Sequence, residues 1–201
     1  MPGTAHAPFR SLLIGTTIIL ALLLAAPAAQ AEQLSGGCPG QVLAQPFIPW
    51  EDDALYTLMP DGDLTLGGAD WDLDGAEVVD DNEPWYVHGG DTPAAVRVES
   101  GGSATTPPIC ITKDHPTMRY FVRNSGGDYG TLLVEAVLPN GQAFAIDVLF
   151  GMDESTEWAP SAITPIFANL VSNEVSFRFS AVGTDSAWVI DDVFVDPYGK
   201  G

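Results

Sequence analysis

The stretch Thr131-Leu132-Leu133-Val134-Glu135-Ala136-Val137-Leu138, followed by Pro139-Asn140-Gly141 and then by Ala143 to Phe150, decides the fold. Two apolar runs rich in β-formers flank an Asn-Gly turn, which is a strong local signal for a β-hairpin. Working outward, Thr117-Met118-Arg119-Tyr120-Phe121-Val122-Arg123 sets Arg119 and Arg123 among apolar neighbours. Val175, Phe177 and Phe179 alternate with Ser176, Arg178 and Ser180. Trp188, Ile190, Asp192 and Phe194 alternate with Val189, Asp191, Val193 and Val195. A period of two places Phe177, Phe179, Trp188, Ile190 and Phe194 in the core. Residues 46–201 contain no sustained 3.6-residue apolar stripe, although Pro165 to Val171 reads equally as a helical turn or a strand. Gly, Pro, Asn and Asp punctuate short strands throughout, so the expected fold is an all-β antiparallel sandwich.

The amino-terminal segment has a different character. Arg10 is the only Lys, Arg, Asp or Glu in residues 1–31, and the run Leu12 to Leu24 is apolar except for Gly15, Thr16 and Thr17. Pro27 ends any helix, and Ala29-Gln30-Ala31 is a small-x-small cleavage site, so residues 1–31 read as a signal peptide and the protein as secreted. A retained membrane anchor is the competing reading, but the run is short for a span of about 20 residues. A second competitor is lipidation of Cys38 after Leu34-Ser35-Gly36-Gly37, although Ser35 stands where a lipobox carries an aliphatic residue. Residues 32–45 read as a tether, and residues 46–201 as one domain. No later stretch is apolar enough to cross a bilayer.

Cleavage after Ala31 leaves six basic against 27 acidic residues, a formal charge of −21. Such a surface repels nucleic acid and anionic membranes and favours cations. Cys38 and Cys110 are the only cysteines. In an exported chain they are expected to form a disulfide, worth on the order of 4 kcal/mol for a loop of this length.

Little in the sequence points to catalysis. No Gly-x-Ser-x-Gly elbow is present. His88, in Val87-His88-Gly89-Gly90, and His115, in Asp114-His115-Pro116, read as ordinary loop residues. Asp70-Trp71-Asp72-Leu73-Asp74-Gly75 has the alternating carboxylates of half a calcium loop, but Asp81 stands where the bidentate Glu belongs. The solvated face of a strand is the expected reading. Trp50, Trp85, Tyr86, Tyr129 and Trp158 lie beside turns or polar residues. Flat aromatic rings can stack on sugar faces, while burial in the core is the competing role for each. Of these, Trp50, Trp85, Tyr86 and Trp158 are taken as candidate ligand-binding residues.

Two patches suggest a family. One is Tyr56-Thr57-Leu58-Met59-Pro60-Asp61-Gly62-Asp63-Leu64 with Gly67-Gly68 and Trp71; the other is Ala187-Trp188-Val189-Ile190-Asp191-Asp192-Val193-Phe194-Val195. Together they resemble the jelly-roll carbohydrate-binding modules of secreted glycanases and the related galactose-binding-like sandwiches. The whole mature chain, with Asn82-Glu83-Pro84, is also similar to a group of secreted proteins of high-GC Gram-positive bacteria. The resemblance implies a jelly roll, a non-catalytic binding role with glycan as ligand, and a structural calcium held by Asp63 and Asp192. Asp192 shares its parity with apolar residues, and a carboxylate on an inward face needs a partner, a proton or a metal. Leu64-Thr65 departs from the Phe-Glu of those modules and removes a carboxylate they use for calcium. A structural or protein-interaction module of the cell exterior, with no small ligand, is the alternative.

Overall fold

The hairpin at residues 131–150 forms as its sequence predicts. In the computed structural model, which describes Gly3, Cys38 and residues 41–89, 93–111, 117–166 and 173–196, Thr131–Val137 pairs antiparallel with Ala143–Phe150. The turn closes through the Gly141 N–H on the Leu138 carbonyl at 2.9 Å, with Gly141 at φ 83°. A left-handed residue after a tight turn is the conformation glycine accepts most cheaply.

In chain order the strands are β1 (Thr57–Leu58), β2 (Asp72–Val79), β3 (Ala95–Thr105), β4 (Ile109–Cys110), β5 (Thr117–Asn124), β6 (Thr131–Val137), β7 (Ala143–Phe150), β8 (Ala159–Pro160), β9 (Thr164–Pro165), β10 (Glu174–Val182) and β11 (Ala187–Asp196). All pairings are antiparallel, in the order β7-β6-β10-β3-β11-β5-β8, with β1 on β11, β2 on β3, β4 on β10 and β9 on β5. Among the described residues the one helical element is a 3-10 turn at Ile48–Trp50. None is a helix long and apolar enough to cross a membrane.

β3 makes the sheet into a sandwich. Its carboxyl-terminal part pairs with β10 (Ala104 opposite Phe179), and its amino-terminal part pairs with β11 (Val98 opposite Trp188). The chain passes between the two leaves through Gly101 and Gly102. A Cβ on Gly102 would lie 2.3 Å from the Gly75 carbonyl oxygen, so the crossing requires glycine there. The far edges of the sheet then meet: Asp147 on β7 accepts hydrogen bonds from Tyr120 of β5 at 3.1 Å and from Thr164 of β9 at 2.9 Å. Between the leaves, Phe179 packs edge-on against Tyr120 and parallel to Trp71.

The five residues expected in the core are all buried, but they do not share one face. Trp188, Ile190, Phe177 and Phe179 fill the space between the leaves, with Val193 and Val195. Phe194 instead joins Phe47, Tyr56 and Phe121 in a second cluster. The reason is a bulge in β11: Asp191 pairs with Phe121 and Phe194 with Arg119, which leaves one extra residue between them. Asp192 takes φ 49° there, and the alternation of the strand shifts by one. The simple alternation read from the sequence is corrected at this point.

The second cluster is an outer layer laid by the chain before β1. Ala44 and Tyr56 exchange backbone hydrogen bonds at 2.9 and 2.8 Å. Arg119 reaches from β5 into this layer, pairs with Asp52 at 3.0 Å, and sets its guanidinium 4.2 Å from the Phe47 ring centre. The Cys38–Cys110 disulfide is formed and fastens the start of this layer to β4.

Candidate functional site

The outer layer gathers three of the aromatic residues singled out in the sequence, Trp50, Trp85 and Trp158. Trp50 ends the 3-10 turn that Ile48 begins and Pro49 supports, and lies half-buried against Phe121. Trp85 lies on the loop between β2 and β3, its ring 4.8 Å from that of Trp50 and 5.6 Å from that of Phe121. It stays 44% exposed, and its neighbour Tyr86 is 45% exposed. Trp158 packs half-buried on the same cluster, with the Arg123 guanidinium 5.6 Å from its ring. Arg123 also pairs with Asp81. Burial pushes the Asp81 carboxyl up, but hydrogen bonds from Arg123, the Asn82 N–H and Trp158 more than offset this and hold it below the ordinary carboxylate range.

Trp50 and Trp85 therefore meet at Phe121, and Trp158 packs on the same cluster with the charged pair beside it. The Trp50 and Trp85 planes stand at 88°, so they form a corner rather than a flat platform. Tyr129, 83% exposed, lies in the turn before β6. Next to the outer layer is a cleft of about 580 Å³, lined among others by Gln41, Leu58, Val87, His88 and Ile109.

His88 connects this cleft to a buried polar cluster at the β11 bulge. Asp191 and Asp192 are both fully buried. The Asp191 carboxylate accepts the Glu83 N–H at 3.1 Å and the Asp192 N–H at 2.8 Å. Glu83, also buried, curls over its own loop and accepts the Trp85 and Val87 N–H groups, the latter at 2.6 Å. His88 Nδ1 lies 2.8 Å from Asp192 Oδ1 and 3.0 Å from Oδ2. Glu83, His88 and Asp192 each offer one ligating atom, all within 4.8 Å of one another. Burial raises Asp192, with the Glu83 and Asp63 charges adding to it. Burial likewise raises Asp191, helped by the charge of Asp192.

The opening segment reaches the same place. Val193 donates to the Gly62 carbonyl at 3.1 Å, and Met59 donates to the Val193 carbonyl at 2.9 Å. A Cβ on Gly62 would lie 2.9 Å from the Val193 oxygen, so close approach needs glycine. Asp63 is thus brought near Asp192, but it turns its carboxylate onto Thr65, accepting the backbone N–H at 3.3 Å and the hydroxyl at 3.0 Å.

Sequence reasoning missed Glu83 and His88. His88 was expected to be a surface loop residue; its side chain is only 3% exposed. No local periodicity announces either residue, because they converge through a loop folding onto a strand more than a hundred residues away. His115 lies outside the described residues. Asp70, Asp72 and Asp74 are exposed, beside the buried Trp71.

No protein-family model matches the chain, and no curated protein is similar to it in sequence. Solved structures resemble it in the course of the chain. The carbohydrate-binding module TmCBM61, solved in complex with β-1,4-galactotriose, is 16% identical, with 68% of this chain and 95% of that one covered and a TM-score of 0.46. The CBM22-1 xylan-binding domain of Paenibacillus barcinonensis Xyn10C is 9% identical, with 65% and 87% covered and a TM-score of 0.46. The K3 adhesin domain of Lys-gingipain from Porphyromonas gingivalis is 14% identical, with 69% and 98% covered and a TM-score of 0.44.

Proposed function

We propose that this chain is a secreted, non-catalytic module that binds a glycan outside the cell, through the corner made by Trp50 and Trp85, with Trp158 on the same aromatic cluster. The observation that carries the reading is Trp85: a large indole left half in water and braced edge-on by Trp50, on a cluster whose other tryptophan, Trp158, carries the Arg123–Asp81 pair. An exposed indole offers its face to the C–H side of a sugar ring, while a carboxylate and a guanidinium serve the hydroxyls. A corner of perpendicular rings suits one or two sugar units held end-on better than a long chain lying flat. The solved modules named above bind galactotriose or xylan, which accords with this class of ligand.

The test is a glycan array with the mature protein, followed by titration of any hit against Trp85→Ala and Trp50→Ala. Stacking on one ring is worth roughly 1 kcal/mol beyond burial, so each variant should weaken binding by about five- to tenfold, with the melting midpoint of the half-exposed Trp85→Ala nearly unchanged. A folded protein that binds nothing on the array, or variants that bind as well as the parent, would overturn the reading. The alternative is a protein-interaction module, and one observation favours it. The edge strand β7 exposes Phe144, Val148 and Phe150, and edges of this kind are normally blunted or covered.

A further inference from the structure

The buried cluster at the β11 bulge holds Glu83, Asp191 and Asp192, with Asp63 close by, and what faces them is the single imidazole of His88. Buried carboxylates without compensating charge are costly. Two atoms there also lack partners. Asp192 Oδ1 lies 2.8 Å from His88 Nδ1 but out of hydrogen-bonding line, and takes no hydrogen bond. His88 Nε2, equally buried, has none either.

The calcium implied by the family resemblance fits this donor set poorly. Calcium takes six to eight oxygens. Here the converging atoms come from two carboxylates and one ring nitrogen. Asp63 is engaged with Thr65, and the Gly62 carbonyl with Val193. One imidazole with two carboxylates is instead a donor set for a borderline transition cation, which accepts both nitrogen and oxygen at about 2.0–2.2 Å. The backbone N–H groups of Trp85 and Val87 already orient the Glu83 carboxylate, as outer hydrogen bonds orient ligands in built metal sites.

We propose that Glu83, His88 and Asp192 form a site for one divalent cation of the zinc class. The cation clips the loop carrying Trp85 and Tyr86 onto the closing strand. This inference stands independently of the glycan reading.

The mature protein, stripped with chelator, is titrated with zinc and with calcium by calorimetry and thermal melting. One zinc should bind per chain and raise the midpoint by roughly 5–10 °C at a hundredfold excess over its dissociation constant, with calcium at the same concentration giving no shift. His88→Gln should weaken zinc binding on the order of 100-fold. A calcium shift equal to that of zinc, no zinc binding, or unchanged affinity in His88→Gln overturns the proposal. If that variant does not fold, nitrogen-resolved NMR of the unaltered chain decides. The His88 ring nitrogens must move on zinc addition, and unmoved resonances at saturation sink the site.

Discussion

Removing the charge of Arg119 probes the outer layer on which the aromatic corner rests. Arg119 and Asp52 are 8% and 5% exposed, 3.0 Å apart, and Tyr56 donates to the same Asp52 oxygen at 2.7 Å. Burial, then the Asp52 hydrogen bond, pushes the Tyr56 hydroxyl well above its ordinary range, so it stays a donor. The remaining guanidinium nitrogens donate to the Ser161 carbonyl at 3.1 and 2.8 Å. Arg119→Met keeps a flexible apolar stem over Phe47 but removes the cation that faces the Asp52 carboxylate and two donors to the Ser161 carbonyl. Breaking a buried pair from one side costs about 3–5 kcal/mol, a large part of the 5–15 kcal/mol typical of a domain. Urea unfolding with the disulfide intact, followed by tryptophan fluorescence, measures the loss. Asp52→Asn in the same chain removes the buried charge that Arg119 balanced and should recover about 2 kcal/mol or more. A single-variant loss below about 1 kcal/mol, or single and double variants additive to within roughly 0.5 kcal/mol, would refute the argument that this pair is buried and coupled.

Three further outcomes are expected. Phe179→Ala, which empties a fully buried site between Tyr120 and Trp71, should cost about 3–5 kcal/mol by equilibrium unfolding; a loss under about 1 kcal/mol would mean the two leaves do not close on it. Reducing Cys38–Cys110 should lower stability by roughly 2–4 kcal/mol, and intact mass before and after alkylation shows whether both thiols were paired in exported protein. Amino-terminal sequencing of that protein should begin at Glu32; recovery of chains acylated at Cys38 would refute cleavage after Ala31.

The parts of this fold legible in the sequence are those fixed by near neighbours. The hairpin at 131–150 carries its own turn chemistry, and Phe177 and Phe179 show their face by alternation alone. The disulfide was legible because two cysteines leave one pairing. The bulge at Asp191-Asp192 was not, because an extra residue is visible only against the partner strand β5, and with it went the correct face for Phe194. Trp50, Trp85 and Trp158 could be named as aromatics beside turns, but their gathering on the cluster that contains Phe121 depends on three separate segments docking. Glu83 and His88 left no trace: a carboxylate and a histidine in a polar loop look like solvated surface until the loop folds over β11.

The place of β11 bears on how such a chain is made. It is the last strand in order, yet β1, β3 and β5 all pair with it. Until residues 187–196 have emerged, the leaf containing β3 and β5 lacks its middle, and β1 and β5 have nothing to join them to β3. That leaf of a growing polypeptide stays open through most of its synthesis, since distant pairings form late and slowly. That accords with the secretion proposed above, in which a chain is threaded through a narrow translocation channel before it folds. The same logic makes the closing strand all-or-none: a truncation ahead of Ala187 should abolish the fold outright, whereas loss of an edge such as β8 would leave the rest standing.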